Sequence, residues 1–247
     1  MSLAEYRKTQ SEQDRIRDML ALMPSGGAVL DVGARDGYIS VRLADRFDSV
    51  TALDLQMPSI SDERVRCVVG DVTRLSFPSD SFDVVVCAEV LEHIPPHLLN
   101  DACCELARVA KRYALIGVPY RQDTRVACST CGQCGSINPS WGHVNSFNEA
   151  KLKRLFSGME VVKVSLVGEC DLYTNRLSAF LMDYAGNPYG TYSQHEPCVF
   201  CGAQLASPPP MNPLQKVSAK CAIWGMKAQS VVNGSHANWI HVLFRKC

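Results

Sequence analysis

Five cysteines stand at spacings typical of metal ligands. Cys128, Cys131 and Cys134 form two overlapping Cys-x-x-Cys patterns, and Cys198 and Cys201 form a third one far along the chain. A glycine follows each pattern, which eases the turn that directs backbone amides at a thiolate. Two such pairs provide four thiolates for one tetrahedral zinc ion and leave no open position for a substrate. The spacing therefore predicts a structural zinc site formed by the last pair and two of the first three cysteines.

Three alternatives to zinc fit these cysteines: unpaired thiols, a redox pair and an iron–sulfur cluster. Metal ligation is favoured because a cytosol keeps thiols reduced. The remaining cysteines lack ligand spacing, and we expect them to be small buried residues. They are Cys67, Cys87, Cys103, Cys104, Cys170, Cys221 and Cys247.

A second group of residues could hold an organic cofactor. The apolar run Ala28–Val32 leads into a turn that contains Gly33, Arg35 and Gly37. A strand, a glycine turn and the start of a helix, in this order, let a ligand approach backbone amides. A dinucleotide-binding turn requires a second glycine so that the pyrophosphate can come close. Arg35 stands at that place, which disfavours a nicotinamide cofactor.

Acidic residues accompany the next two apolar runs. Asp54 lies in the run 50–55, and its carboxylate can accept hydrogen bonds from both hydroxyls of a ribose. Asp71 follows the run Val65–Val69. Taken singly, these acids and Asp31 are equally compatible with helix caps or turns.

The order of these segments closely resembles the small-molecule branch of the class I S-adenosylmethionine-dependent methyltransferases. The resemblance is carried by the glycine turn, the acids and the segment 82–95, and it continues through 113–118 and 142–147. It implies that S-adenosylmethionine is the cofactor and that its sulfonium lies beside residues 87–90. The cofactor residues that it implies are Asp31, Gly33, Arg35, Gly37, Asp54, Leu55, Asp71, Val72, Cys87, Ala88 and Glu89.

The resemblance also implies which part of the cofactor these residues contact. Gly33 and Gly37 border the methionine portion, Asp54 binds the ribose, and Asp71 contacts the adenine amino group. The family usually has glycine at the place of Arg35. We therefore expect either a changed turn or a changed grip on the methionine portion.

The chemistry needs few catalytic groups. Methyl transfer from a sulfonium is an in-line displacement, so alignment and exclusion of water supply much of the rate. A hydroxyl acceptor must also lose its proton, and a nearby neutral histidine can take it. His93 is our candidate, because we expect it to begin the helix after the fourth strand; its alternative role is a hydrogen bond to a neighbouring loop. Tyr120 and His143 follow the fifth strand and could contact the acceptor, although His143 could equally orient its own loop or bind metal.

The acceptor is expected to be a small molecule, such as a sugar or a nucleotide conjugate. Lysine plus arginine and aspartate plus glutamate each number 25, so the chain has no basic excess for a phosphate backbone. No Asn-Pro-Pro-Tyr segment follows the fourth strand, where an amino-nucleobase methyltransferase would hold its flipped base. Both observations disfavour nucleic acid.

Short apolar runs that alternate with amphipathic stretches must position these residues. Together with the resemblance, this alternation predicts an α/β fold: a doubly wound, mostly parallel, seven-stranded sheet as in Rossmann-like methyltransferases. The predicted strands are 28–32, 50–55, 65–69, 82–87, 113–118, 159–167 and 239–245. The predicted helices include 5–23, 148–156 and 214–231.

The chain of 247 residues is expected to form one methyltransferase domain, because a hydrophobic content of 47% suits one core. Two segments interrupt the alternation, 121–147 and 170–235, and are predicted to be insertions. Each carries part of the cysteine set. The zinc ion would therefore join them into a small subdomain.

The first residues are polar, and no apolar run approaches the length of a membrane span. We therefore expect a cytoplasmic protein without a membrane partner, and the oligomeric state stays open. Two other functions compete with methyl transfer. One is a nicotinamide-dependent dehydrogenase, which Arg35 disfavours. The other is a zinc-stabilised interaction protein whose methyltransferase fold has lost catalysis, which the same residue keeps open.

Overall fold

The computed structural model describes residues 3–192 and 197–247, with side chains from residue 5 onwards. Residues 193–196, which belong to the predicted insertion 170–235, lie outside the described residues. The chain divides into two compact units. Unit 1 comprises Met1–Tyr120, Phe147–Gly168 and Ala237–Cys247, and unit 2 comprises Arg121–Ser146 and Glu169–His236.

Helices and strands alternate along the first half of the chain. In chain order they are α1 (Leu3–Tyr6), α2 (Gln10–Leu22), β1 (Ala28–Val32), α3 (Tyr38–Leu43), β2 (Ser49–Asp54), β3 (Val65–Val69), β4 (Phe82–Ala88), α4 (Leu99–Val109) and β5 (Ala110–Pro119). They are followed by β6 (Ser129–Thr130), β7 (Ile137–Asn138), α5 (Glu149–Leu155), β8 (Met159–Val167), α6 (Arg176–Tyr184), α7 (Pro213–Asn233) and β9 (Trp239–Lys246).

Seven strands of unit 1 form one sheet in the order β3-β2-β1-β4-β5-β9-β8. The strands from β3 to β5 are parallel, whereas β9 is antiparallel to both of its neighbours. This confirms the predicted fold class. The order reverses between β1 and β4, and such a switch point is where ligands bind in open α/β sheets.

Strand side chains alternate between two apolar layers, one on each face of the sheet. In one layer Leu30 belongs to a cluster with Leu106 of α4 and Leu152 of α5. In the other, Val29 belongs to a cluster with Met19 of α2 and Leu43 of α3. Strands that are buried on both faces have near-continuous apolar sequences, which explains why they can be recognised without a structure.

The predicted bounds of β1, β3 and β8 coincide with the structure. The fifth strand is longer than predicted and begins at Ala110, directly after α4 ends. Its first residues include Lys111 and Arg112, which are exposed and interrupt the apolar pattern. The apolar run therefore marks only the buried part of this strand.

The prediction of one helix over 5–23 is wrong, because the chain forms α1 and α2 instead. Thr9 separates them, and its hydroxyl accepts a hydrogen bond from the N–H of Glu12 at 3.3 Å. This bond caps α2. The break does not disturb the spacing of the apolar residues in α2, so periodicity alone does not reveal it.

The segment after β4 also differs from the prediction. Residues 89–98 form turns and bends, and α4 begins at Leu99, so His93 does not begin a helix. The N–H of His93 donates to the carbonyl of Val90 at 3.0 Å, which closes one of these turns. Pro95 and Pro96 follow, and prolines remove backbone donors and restrict the residue before them.

Unit 2 contains the β6–β7 ladder and the helices α6 and α7, of which α6 was not predicted. A capping box starts α7: the Asn212 side chain accepts from the N–H of Gln215 at 2.9 Å, and the Gln215 side chain accepts from the N–H of Asn212 at 3.0 Å. No helix in the described ranges is long and apolar enough to cross a bilayer.

The expectation that all cysteines outside the ligand patterns are buried is wrong for most of them. Exposure follows each residue's place in the fold, which residue type does not reveal: Cys103 and Cys104 are neighbours in α4, yet only Cys103 is buried. Cys87 and Cys103 are buried, Cys67 and Cys170 are half-buried, and Cys104, Cys221 and Cys247 are exposed.

Candidate cofactor site and metal centre

The turn after β1 lies at the edge of the sheet where the strand order reverses. The N–H groups of Gly33 and Ala34 donate to the carbonyl of Leu53 at 2.8 and 3.1 Å, which fixes the turn against β2. Gly33 has a φ of 78°, and a Cβ at this position would lie 2.3 Å from Cγ2 of Val90. Glycine is required for both reasons. It lets the segment after β4 come close to the turn.

Arg35 adopts a φ of 46°, in the left-handed region that glycine favours. Its N–H donates to Oδ2 of Asp54 at 2.9 Å, and the residue is exposed. The turn thus keeps the backbone conformation that a glycine would adopt there. The bulky side chain does not prevent the contact between the turn and the end of β2.

Asp54 ends β2 beside this turn. Besides the bond from Arg35 at Oδ2, its Oδ1 accepts from the N–H of Leu55 at 2.7 Å. A carboxylate has about four acceptor positions, so two of them suffice for these bonds. The side chains of Leu55 and Met57 are 70% and 63% exposed. An acceptor group therefore lies next to an uncovered apolar surface, a combination that suits a nucleoside.

Asp71 and Val72 follow β3. Oδ1 of Asp71 accepts from the N–H and from the hydroxyl of Thr73, both at 2.8 Å. The turn-stabilising role that the sequence left open for Asp71 thus has a defined geometry. Val72 is buried in the apolar layer, so only its backbone can face a ligand.

Asp31 lies inside β1 and is buried. Its Oδ2 accepts from the hydroxyl of Ser40 in α3 at 2.6 Å. Burial raises the pKa of the Asp31 carboxyl to about 7, although the hydrogen bond from Ser40 opposes the increase. Gly37, with a φ of 73°, begins α3, and a Cβ there would lie 2.5 Å from Cγ1 of Ile60. Asp31 therefore ties β1 to the helix that follows the turn.

A group of charged residues lies at the end of β4. Glu89 has a φ of 58°, a strained conformation of the kind that clusters at functional sites. Its Oε2 accepts from Nε1 of Trp239 at 3.2 Å, and its Oε1 lies 3.8 Å from Nη1 of Arg15. Burial raises the pKa of Glu89, and Arg15 and the Trp239 bond oppose this. Cys87 and Ala88, which precede it in β4, are buried.

Arg15 belongs to α2 and is 3% exposed. Its Nε and Nη2 donate to both carboxylate oxygens of Glu12, at 2.7 and 2.9 Å. Nη1 of Arg15 and Oε1 of Glu89 are both buried without a hydrogen-bond partner among the described residues. Buried polar atoms are costly unless they are paired. This pair therefore marks a place where a polar ligand could be held.

His241, a fully buried residue of β9, was not predicted from the sequence. Its Nδ1 lies 2.6 Å from Oδ2 of Asp18, which also accepts from the hydroxyl of Ser165 at 2.6 Å through its other oxygen. These two bonds outweigh burial and lower the pKa of Asp18. The other nitrogen, Nε2, has no partner within the part of the chain that the structure describes. The Gly117 position, which has no side chain, separates this nitrogen from Ala88.

The aromatic and imidazole groups that the sequence singled out are His93, Tyr120 and His143. His93 is exposed. The Tyr120 hydroxyl donates to Oε1 of Glu149 at 2.8 Å. In unit 2, Nδ1 of His143 lies 2.7 Å from Oε1 of Gln122, which agrees with the role of orienting its own loop.

Unit 2 brings four of the five candidate cysteine ligands together. The sulfur atoms of Cys131, Cys134, Cys198 and Cys201 all lie within 4.8 Å of one another. Cys131 and Cys201 are 3.7 Å apart at Sγ, and so are Cys134 and Cys198. Tetrahedral zinc at about 2.3 Å from each sulfur separates the sulfurs by roughly 3.8 Å. The donor set and its spacing therefore fit zinc.

The two Cys-x-x-Cys segments have matching turns. The N–H of Gly135 donates to the carbonyl of Cys131 at 2.9 Å, and the N–H of Gly202 donates to that of Cys198 at 2.8 Å. Both glycines have positive φ, 73° and 72°. Burial raises the pKa of the Cys198 thiol. Backbone N–H groups that donate hydrogen bonds to the sulfur outweigh burial, so the pKa falls to about 6.

Cys128, the remaining candidate ligand, is not in this cluster. Its Sγ contacts the carbonyl of Thr124 at 3.3 Å, and burial raises the pKa of its thiol to about 11. Gly132, which follows the first pattern, lacks the positive φ of Gly135. The turn after Cys131 therefore selects the second of the two overlapping patterns.

Known proteins match the part of unit 1 that holds the turn and the acids. Residues 30–116 match the model of a family described as a methyltransferase domain. The ubiquinone biosynthesis O-methyltransferase of Idiomarina loihiensis is 35% identical over 92 residues, which cover 32% of this chain and 37% of that protein. The enzyme of the same name from Xanthomonas axonopodis pv. citri is 35% identical over 98 residues, or 35% of this chain and 41% of that protein. The chain thus matches about two fifths of the length of these relatives.

Solved structures resemble the chain over nearly its whole length. A protein of Bacillus halodurans has a TM-score of 0.61 and 14% identity, covering 94% of this chain and 98% of that one. The 1,6-didemethyltoxoflavin-N1-methyltransferase of Burkholderia thailandensis, solved with S-adenosylhomocysteine, has a TM-score of 0.55 and 14% identity, covering 98% and 83%. At these identities the similarity concerns the fold.

The buried carboxyl of Asp31 predicts a pH-dependent stability. Its folded pKa of about 7 exceeds the unfolded value of about 3.9, so the native state binds the extra proton between these values. The free energy of unfolding should therefore fall as the pH rises from about 4 to about 7. Asp31→Asn keeps an acceptor for Ser40 and removes the charge. We expect it to stabilise the ligand-free protein above pH 7, by roughly 1–4 kcal/mol, and to have little effect below pH 4.

Urea unfolding measured across this pH range tests the expectation. Glu63→Gln is the control, because Glu63 is an exposed carboxylate. Parallel curves of stability against pH for wild type and Asp31→Asn would mean that the pKa of the Asp31 carboxyl is not raised.

Proposed function

We propose that this chain, which belongs to the class I S-adenosylmethionine-dependent methyltransferases through its residues 30–116, transfers the methyl group of S-adenosylmethionine to a small-molecule acceptor. The observation that carries the proposal is the carboxylate of Asp54, which ends β2 beside the Gly33 turn and lies next to an uncovered apolar surface. In this proposal Asp54 binds the ribose, and Leu55 packs against the adenine.

The charged group after β4 fits the methionine portion of the cofactor. A free amino acid group carries one carboxylate and one ammonium. Nη1 of Arg15 can donate to the carboxylate, and Oε1 of Glu89 can accept from the ammonium. Such a ligand would give both buried atoms a hydrogen-bond partner. At 3.8 Å, Nη1 of Arg15 and Oε1 of Glu89 are too far apart to form a hydrogen bond with each other.

When bound, the cofactor supplies an activated methyl group on a sulfonium. The residues of the chain then have to align the acceptor and exclude water. In this proposal Trp239 and Arg15 of α2 serve the second purpose, since the indole donates to one oxygen of the Glu89 carboxylate and Nη1 of Arg15 lies 3.8 Å from the other. The proposed place of the reacting groups is the end of β4, at residues 87–89.

A hydroxyl is the acceptor group that we propose. Two relatives are named as O-methyltransferases, and the equal numbers of acidic and basic residues do not favour a polyanionic substrate. Removal of the hydroxyl proton requires a base. His93 remains a candidate, and His241 is a second one. We favour His241, because the Asp18 carboxylate accepts a hydrogen bond from Nδ1–H and thereby leaves Nε2 as an acceptor, as in catalytic aspartate–histidine pairs.

The competing functions differ in what they bind and turn over. A dehydrogenase would bind a nicotinamide cofactor in preference to S-adenosylmethionine. A non-catalytic zinc protein would bind S-adenosylmethionine without turnover. Comparing the binding of the two cofactors separates the dehydrogenase from the other two. Labelled S-adenosylmethionine mixed with the enzyme and fractionated cell extract, followed by mass spectrometry of the product, then tests turnover and identifies the acceptor.

Asp54→Ala should weaken S-adenosylmethionine and S-adenosylhomocysteine alike, because both contain the ribose. Loss of a charged acceptor should cost about 1.5–3 kcal/mol, or about one to two decades in Kd, measured by calorimetry. Asp45→Ala is the matched control, since Asp45 pairs with Arg64 at 2.8 Å on the protein surface. Unchanged affinity in Asp54→Ala would remove this residue from the cofactor site.

His241→Asn and His93→Asn separate the two candidate bases. On the acceptor found in the extract, we expect His241→Asn to lower kcat by about a hundredfold or more while the Kd of S-adenosylhomocysteine changes little. We expect His93→Asn to keep most of the rate, since His93 is exposed in a turn. The reverse pattern would make His93 the base. Full rates in both variants would mean that alignment alone suffices.

We further propose that unit 2 binds one structural zinc ion through Cys131, Cys134, Cys198 and Cys201. The support is the sulfur spacing of 3.7 Å and the matching glycine turns. Backbone N–H groups after Cys198 also donate to its sulfur, which favours the thiolate that zinc binds. Four thiolates close the coordination sphere, so the role is structural.

Metal analysis should find about one zinc per chain in protein that is kept reduced and free of chelator. Cys198→Ser should release zinc and loosen unit 2, because three thiolates do not retain the ion and folding is coupled to binding. Cys128→Ser is the matched control and should keep zinc. S-adenosylhomocysteine binding should persist in both, since its proposed ligands all belong to unit 1. Zinc retained in Cys198→Ser, or lost in Cys128→Ser, would refute this ligand set.

A further inference from the structure

Helices α6 and α7 of unit 2 pack against each other through small and polar residues. A Cβ at Gly225 would lie 2.3 Å from Oγ of Ser178, and the hydroxyl of Ser218 donates to the carbonyl of Leu181 at 2.8 Å. The Gln215 side chain donates to the carbonyl of Tyr184 at 3.4 Å. Later residues of α6 contact earlier residues of α7, so the helices are antiparallel. The contact rows use little apolar surface.

Several large apolar side chains of these helices face solvent. On α6, Leu177, Phe180 and Tyr184 are 66%, 65% and 54% exposed. On α7, Val217 and Trp224 are 60% and 71% exposed, and the row continues to both ends of the helix. The spacings of three, four and seven residues align each set along one side of its helix.

The two exposed rows lie on the same side of the hairpin. At about 100° per residue, each row is rotated by roughly 100° from the row that contacts the other helix, in the same sense along the chain. Because the helices are antiparallel, equal rotations bring the rows to a common side. We call this surface the hairpin face; it consists of Leu177, Phe180, Tyr184, Val217, Trp224 and Val231. A contiguous exposed apolar patch of this kind usually marks an interaction site.

The charges beside the hairpin face have one predominant sign. Lys216, Lys220 and Lys227 are exposed and lie on adjoining positions of α7, within about 40° of one another on the helix. Both helices are wholly described, and α7 contains no aspartate or glutamate. The acid of α6, Asp183, accepts a hydrogen bond from Asn187 at 3.1 Å. Lysines therefore predominate along the α7 side of the face, although the exposed Asp171 lies near Val231 and the whole chain has no net charge.

We propose that the hairpin face binds the surface of an anionic lipid bilayer. Aromatic and aliphatic side chains on one side of a helix with lysines beside them are typical of helices that lie in the interface of a membrane. Such binding needs no spanning segment, so it is compatible with the absence of one among the described helices. A second copy of the chain is a poorer occupant, because its lysine row would be brought near an identical row. The proposal does not depend on methyl transfer.

Sedimentation with vesicles tests the proposal on the full chain with zinc present. We expect binding to vesicles that mix phosphatidylglycerol with phosphatidylcholine, and much weaker binding to phosphatidylcholine alone. Replacing all three α7 lysines by glutamine should weaken binding, by about fivefold for each lysine at low salt. The control replaces Lys8, Lys111 and Lys153, three exposed lysines of unit 1, and should bind like wild type.

A second variant removes the apolar contact: Phe180→Ser combined with Trp224→Ser should abolish most binding at any salt concentration. Both residues are exposed, so the fold should persist, as circular dichroism and zinc content will show. Trp224 emission should also shift to the blue with anionic vesicles, and the shift should vanish in Trp224→Phe. Equal binding to neutral vesicles, or no binding to either kind, would overturn the proposal. So would a dimer in analytical ultracentrifugation that the same variants dissociate, with no vesicle binding.

Discussion

The hydrogen bonds between the Gly33 turn and the end of β2 determine the geometry of the proposed cofactor site. Two N–H groups of the turn donate to the Leu53 carbonyl, and the N–H of Arg35 donates to the Asp54 carboxylate. The backbone of the turn after β1 thereby orients Asp54 at the end of β2. Any side chain at Gly33 would push away Val90 and with it the end of β4. The positions of three strand ends therefore depend on one turn.

Arg35 illustrates why such a turn cannot be judged from residue types alone. A left-handed backbone at a residue with a side chain is disfavoured but possible, and its cost can be met where surrounding bonds fix the conformation. Here the Asp54 carboxylate provides such a bond. The departure from glycine thus changes the side chain that faces solvent, while the path of the chain stays suited to holding Asp54 beside the turn.

The sequence predicted the parts of the fold whose pattern is set by burial. Strands β1, β3 and β8 have the predicted bounds. Apolar runs mark β1 and β3, whereas alternation marks β8, a largely exposed strand at the edge of the sheet. Features set by single hydrogen bonds were missed: the Thr9 cap that separates α1 from α2, and the turns that place His93 before α4. Helix α6 was missed for another reason, since several of its apolar residues face solvent and no buried stripe marks it.

The candidate site was likewise predictable around the glycine turn, where its residues are neighbours along the chain, and not where distant segments meet. His241 and Asp18 lie 223 positions apart, and neither belongs to a recognisable motif. The choice among the three clustered cysteines depended on whether Gly132 or Gly135 takes the positive φ, which residue identity does not reveal.

Unit 2 has little apolar core for its size. Around its cysteines, the buried apolar cluster consists of Cys131, Cys198 and Leu205. Helices α6 and α7 join through Gly225 and polar groups, and they leave several large apolar residues in solvent. Small units with so little burial usually need a metal or another cross-link to be stable. The proposed zinc ion and the uncovered hairpin face are thus two consequences of one property, because apolar side chains that do not form the core remain available for contacts outside it.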